Sequence, residues 1–380
     1  MPKLQSAGSG VLPCVRMVTQ LEELEALRVE WDGLVQTSPQ AGVAQTYLYA
    51  QTAWESRRPD AQSLLVIVAE VAGQMVAVWP LYVAKPGKLR IVRLLGCGGR
   101  EEYQEPLIAP GCPHQDAVVA EFYRLATAAG DLLEAYNLSL TTPLLLALKA
   151  DRRPKHQGRM GSPLIELSKY PSWDAWFATK TRTFRHSLRS ARRRLALGGT
   201  PRFREVSAAE APKFIDWLFA TKQAWLERKG QTGHWIWDPF VCDFYKLALG
   251  KPGSGVLGFS LDVDGRPIAG AISLVCASRM EFYIVTYDPT FAAVSPGNLL
   301  IEDLVRWCMP RKLDFDFRLT GAPYKDSWID QVEPYVYYDV ACTWRGVTTV
   351  MGRQAVYSWQ ALKGGAKQRL LQVLRRMRRR

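Results

Sequence analysis

Histidine is scarce in this chain, and no set of residues has the spacing of a metal site. The 380 residues include 4 histidines and 7 cysteines. The histidines do not cluster, and Cys14, Cys97, Cys112, Cys242, Cys276, Cys308 and Cys342 form no CxxC pair. A structural zinc site is thereby excluded and no metal is expected, while an odd, dispersed set of thiols fits reduced cysteines in a cytosol. Long apolar runs are also missing. None reaches the ~18–20 residues that cross a bilayer. The N-terminal stretch lacks a basic flank followed by a continuous apolar core, so no signal peptide is expected. Acidic residues are too few to balance the basic ones: 36 against 49, a net charge of +13. That excess predicts an anionic partner, and nucleic acid, anionic lipid, sugar nucleotides and coenzyme phosphates all qualify.

The chain is long for one core and suggests two domains. Hydrophobic residues make up 48% and charged residues 22%, a globular balance rather than a disordered one. Residues 20–35 have helical apolar spacing, with Leu21, Leu24, Leu27, Val29 and Trp31, and residues 117–136 also read as helix. Residues 64–83, "LLVIVAEVAGQMVAVWPLYV", are two β-branched runs split by Ala72-Gly73. Residues 256–275, "VLGFSLDVDGRPIAGAISLV", repeat the plan around Asp264-Gly265, a stronger hairpin turn. Aligning Gly73 with Gly265 also aligns Ala77 with Ala269, so the chain reads as a duplication. Residues 149–163, "KADRRPKHQGRMGSP", are charged, rich in Gly and Pro and without period, and read as the linker.

The second half carries ordered landmarks: "SWDAWFATKTRTFRHSLRSARRRL", a helix containing Trp225, the Asp-Gly hairpin, "FYIVTYDPTFAAVSPGNLL", "LDFDFRLTG" and "YKDSW". This order resembles the BioF2-like, cellulose-biosynthesis (CelD-type) acetyltransferases of the GNAT superfamily, and the duplicated layout looks like the FemABX transferases. The resemblance implies an α/β (mixed α+β) fold of two tandem GNAT-like domains, each a mixed, mostly antiparallel sheet flanked by helices. The divisions are a degenerate copy at 1–160, the acetyltransferase domain at 161–345 and a basic C-terminal extension at 346–380. It also implies an acetyl-CoA donor and an amine acceptor.

Within that frame, Ser295-Pro296 starts an amphipathic helix whose first turn suits a phosphate, through the N–H groups of Gly297, Asn298 and Leu299. Period-two spacing puts Tyr283 and Tyr287 on one side of a strand that would lie along the pantetheine arm, with Val285 between them. "LDFDFRLTG" puts Asp314, Asp316 and Arg318 on one face and Phe315 and Phe317 on the other. Asp316 is a candidate base and Arg318 its partner or a substrate contact, with Glu281 and Asp288 as weaker bases. The resemblance makes Tyr324 a general acid and Lys325 a phosphate or charge-stabilising contact. Arg182, Arg185 and Arg189 share a helix face with Arg193 and, with Trp225, are candidate substrate contacts.

The leading expectation is an acyl-CoA-dependent N-acyltransferase acting on an amino sugar, diphosphate-linked or similar, in exopolysaccharide biosynthesis. A FemABX-like transferase using aminoacyl-tRNA and a non-catalytic scaffold remain open, and no nucleic-acid-reading motif is present. A cytoplasmic location is expected, with contact to the inner membrane open through "KQRLLQVLRRMRRR", which has an apolar side and a basic remainder. If that segment binds lipid, the chain should float with anionic vesicles. Removing residues 366–380 should then abolish flotation.

Overall fold

The structure is a computed structural model and describes residues 12–56, 60–97, 102–231, 235–319 and 323–359. The C-terminal segment 366–380 lies outside them, as do residues 320–322 of the "LDFDFRLTG" and "GAPYKDSW" stretches.

Strands β1 (Cys14–Val18), β2 (Ala61–Val71), β3 (Gln74–Ala84), β4 (Ile91–Leu94), β5 (Leu107–Ile108) and β6 (Leu132–Ser139) come from the first half. The rest are β7 (Lys155–Ile165), β8 (Pro201–Glu205), β9 (Val256–Val263), β10 (Arg266–Cys276), β11 (Arg279–Tyr287), β12 (Asp314–Asp316) and β13 (Gln331–Ala341). They build one sheet in the order β1-β2-β3-β4-β6-β13-β7-β12-β11-β10-β9-β8, with β5 against β3. Its pairings are mostly antiparallel, and helices cover both faces.

The order is symmetric about the β13–β7 pair, so the duplication is visible in the topology. The β2–β3 and β9–β10 hairpins turn through Ala72-Gly73 and Asp264-Gly265, all four with positive φ. That is the backbone twist a two-residue hairpin favours, and glycine adopts it without strain. Each half also contains one parallel pair: β4 with β6 and β11 with β12.

Two sequence expectations change here. Residues 155–163 are not linker but most of β7, so a boundary at 160 falls inside a strand. The charges misled because β7 sits between two other strands, and its backbone rather than its side chains is what the sheet uses. It pairs with β12 on one side and, over ten registered positions, with β13 on the other. Opposite Tyr337 stands Gly158, where a Cβ would fall 2.5 Å from the Tyr337 ring. Second, residues 117–136 split into helix α1 (Gln115–Ala128) and β6. The stretch 20–35 likewise forms two helices, Leu21–Ala26 and Arg28–Thr37.

One apolar cluster runs across both halves on one face of the sheet, joining Trp31, Tyr47 and Tyr49 to Phe214, Phe244 and Tyr245. On the other face each half has its own cluster. The proposed extension is partly structural too. Residues 344–359 are helical, and Arg353 reaches the buried carboxylates of Asp339 at 2.5 Å and Glu134 at 2.6 Å.

A chain of residues 166–380 alone would lose β7 and half of the shared core. It should be insoluble or lack cooperative unfolding by circular dichroism. Co-expression with residues 1–165 should restore a soluble complex.

Candidate functional site

The site lies where β11 and β12 part. Their parallel register runs Arg279–Asp314, Met280–Phe315 and Glu281–Asp316, then stops. β11 continues to Tyr287 without β12 beside it. An unpaired strand edge presents backbone groups to an extended ligand. A cleft of about 670 Å³ opens along that edge. It runs from the start of helix α4 (Pro296–Cys308) to Tyr324 and Lys325, and its outer wall is Lys222 and Trp225 of helix α3 (Ala211–Arg228).

The parting has a local cause. Arg318, just past β12, takes φ +60°, outside the strand region, which costs an L-residue roughly 1–2 kcal/mol. Its neighbours hold it there. The Arg318 N–H donates to Asp316 Oδ1 at 2.7 Å, and Lys325 Nζ donates to the Phe317 carbonyl at 2.8 Å. Lys325 is thus buried and bonded to backbone carbonyls while also lining the cleft.

Asp316 is fully buried and does not line the cleft. It accepts from Tyr103 Oη at 2.6 Å, from Arg279 Nη1 at 3.1 Å, from the Ser162 hydroxyl and from the Arg318 N–H. With four donors and no path to the cleft, it organises structure and does not meet a substrate amine. Its guanidinium partner is Arg279. Arg318 pairs instead with Glu281 and lies between the rings of Tyr103 and Tyr283, at 4.8 and 4.6 Å. Asp288, the other weak base candidate, caps the turn at Thr290, accepting from its N–H at 2.9 Å.

Tyr283 and Tyr287 both border the cleft but face opposite sides of the sheet. Ile272 pairs with Ile284 and Ser273 with Phe282, so Tyr283 is an extra, bulged residue that reverses the alternation. Tyr283 joins the core shared by both halves, and Tyr287 joins the core beneath α4. Val285 turns its carbonyl toward Lys222, whose Nζ donates to it at 3.0 Å. Lys222 and Lys229 Nζ each lie 4.6 Å from the Trp225 ring centre, so Trp225 is a cation-bearing wall of the cleft.

At the tip of α4, Ser295 is left-handed (φ +51°), and its side chain makes no cap bond. Its carbonyl accepts the N–H groups of Asn298 at 3.0 Å and Leu299 at 3.3 Å. Of the three predicted donors, only the Gly297 N–H stays available. Ser295, Gly297 and Asn298 line the cleft, whereas Leu299 is buried in the core.

Arg182, Arg185 and Arg189 lie on helix α2 (Arg182–Leu197) outside the cleft. Leu188, Ala191 and Leu195 bury the other side of α2 and fix the basic face outward. Arg192 anchors the helix, with Nη2 2.9 Å from Glu302 and 2.7 Å from Asp303 of α4.

Tyr324 is half-exposed on the cleft, with its hydroxyl pushed up to about 12 by burial. It stays protonated across the physiological range and can donate. Behind the lining, the first half of the chain packs against Arg318 and Tyr283. Besides Tyr103, Cys97 Sγ lies 3.5 Å from Tyr283 Oη, and the Cys97 N–H donates to Glu102 at 2.8 Å. Burial pushes the Glu102 carboxyl up. These residues, like Lys222, escaped sequence reading. Lys222 and Lys229 flank Trp225 at helical spacing and could have been found. Tyr103 and Glu102 carry no local signal, because chain topology alone brings them near Arg318.

The first half shows the same parting but has filled it. β4 and β6 pair only at Ile91–Leu132 and Val92–Leu133. Beyond that, the Gln104 N–H donates to the Tyr136 carbonyl at 3.3 Å, and Asn137 Nδ2 to the Glu102 carbonyl at 2.9 Å.

Residues 182–326 match the family model described as Acetyltransferase (GNAT) domain. That match covers the open cleft and supports an acyltransferase. No curated protein matches the chain in sequence. Among solved structures, FemX aligns at TM-score 0.56 and 12% identity over 82% of this chain and 95% of that one. The C-terminal domain of a protein named as a lysylphosphatidylglycerol synthetase, from Agrobacterium fabrum, aligns at 0.53 and 15% over 88% and 96%. L-PGS from Bacillus licheniformis aligns at 0.52 and 14% over 89% and 97%. These likenesses span both halves and show a shared fold, within which the GNAT match lies in the second half.

Replacing Lys325 by Met would leave the Phe317 carbonyl without its charged donor. The loss should be about 1.5–3 kcal/mol of stability, read as a lower urea midpoint at unchanged slope.

Proposed function

We propose that the chain is an N-acyltransferase that takes an acetyl group from acetyl-CoA and passes it to an amine. The observation that carries this is the free edge of β11, which opens into a cleft running from the α4 tip to Tyr324. A thioester donor lies along that edge, with its phosphates near Gly297 and Asn298 and its reacting carbon near Tyr324. Lys222 supplies positive charge inside the cleft. The acceptor is an amine-bearing sugar with an anionic carrier, as in exopolysaccharide synthesis. The exposed Arg182 and Arg189 could meet such a carrier from outside the cleft. The CelD-type order of motifs supports this choice.

Tyr324 is the general acid for the departing thiolate. Asp316 has no role as base. The amine attacks in its neutral form, and the Tyr324 phenolate recovers the proton that the new amide nitrogen releases. Lys325 holds the strand end in place.

One observation favours a second reading, an aminoacyl-tRNA-dependent transferase. Lys222 already occupies the Val285 carbonyl, an acceptor that an amide-bearing pantetheine arm would use. The likeness in fold to FemX fits that reading as well.

Calorimetry separates the two. Acetyl-CoA should bind, and Tyr324→Phe should lower turnover roughly 100-fold or more while leaving that affinity nearly intact. No heat with acetyl-CoA, together with a tRNA gel shift, would transfer support to the second reading.

A further inference from the structure

Arg318 combines features that a structural ion pair does not need. It is 5% exposed, yet it lines the cleft. Its backbone is left-handed, and that strain is maintained by two clamps, Asp316 on its N–H and Lys325 on the adjoining Phe317 carbonyl. Strain of this kind persists only where the surroundings over-determine it, and it gathers at working sites. The guanidinium lies over the rings of Tyr103 of the first half and of Tyr283, the bulged residue of the second. Glu281 balances its charge at Nη1, yet neither buried terminal nitrogen, Nη1 or Nη2, makes a hydrogen bond. A buried donor left unpaired costs about 1–3 kcal/mol, a cost removed once an acceptor enters the cleft.

We propose that Arg318 is a catalytic residue whose Nη2 donates to the acyl oxygen of the donor. This rests on the reading of the cleft as a thioester site. As the amine nitrogen bonds to the acyl carbon, the carbonyl π pair moves onto oxygen, and Arg318 stabilises the charge that develops there. Collapse re-forms the carbonyl and breaks the carbon–sulfur bond. The sulfur takes the Tyr324 proton, and the phenolate regains a proton from nitrogen, so the enzyme ends unchanged. A preorganised donor aimed at an oxyanion contributes roughly 10²–10³ in kcat. In this arrangement the first half holds the catalytic arginine through Tyr103, which gives that half a function although its own notch is filled.

The test reads the carbonyl directly and needs no known acceptor. Acetyl-CoA labelled with carbon-13 at the carbonyl is bound to the wild-type chain and followed by NMR. Polarisation by Arg318 should move the resonance downfield. Arg318→Gln alone would strand the buried Glu281 carboxylate, so the variant is Arg318→Gln with Glu281→Gln. It should bind acetyl-CoA within a few-fold of wild type and return the resonance toward its free position. With any amine found to be acetylated, kcat should fall about 100-fold while KM for acetyl-CoA changes little. Binding without a shift in the wild type, or a shift kept in the double variant, overturns the role of Arg318 and leaves the thioester reading standing. No binding to the wild type removes both.

Discussion

The parting of two parallel strands after Glu281 and Asp316 is the constraint from which the candidate site follows. Just past β12, Arg318 is left-handed, with Asp316 taking its N–H and Lys325 taking the carbonyl before it. Both clamps are side chains bonded to backbone inside the protein, where such bonds are strong. Remove them and the chain after Asp316 would be free to continue the ladder along β11. Keep them and β11 retains an open edge, with the α4 tip at one end and Tyr324 at the other.

The duplicated halves show how one topology yields two outcomes. Each has a hairpin, a parallel pair and a divergence. In the first half, residues 102–104 fill the divergence with their own backbone and side-chain bonds. In the second it is left open. The filling segment also places Tyr103 against Arg318 of the other half. With the β7–β13 pair at the centre of the sheet and a core shared on one face, neither half is an independent unit.

Much of this was legible in sequence where the signal is local. The Gly73 and Gly265 hairpins, the spacing between them and the amphipathic helix after Pro296 are short-range patterns, and the structure places them as read. Tyr324, Gly297 and Trp225 do border the cleft. Other expectations failed because of non-local facts. A single bulge at Tyr283 sent two tyrosines to opposite faces. The charged stretch before residue 163 became a strand because β13 arrives from the far end of the chain to pair with it. Sequence offered Arg318 as the partner of Asp316, whereas its side-chain donors come from Tyr103, Ser162 and Arg279, distant in sequence. The arginines of α2 lie outside the cleft, because the buried side of that helix sets which way they point.

The central claim is that the open edge of β11 is where an acyl thioester lies. A crystal structure determined with acetyl-CoA tests it most directly. The expected result is ligand density along residues 283–287, with the pyrophosphate at Gly297 and Asn298 and the acetyl group beside Arg318 and Tyr324. Density for the whole coenzyme elsewhere, with that edge unaltered and Lys222 still on the Val285 carbonyl, would contradict it.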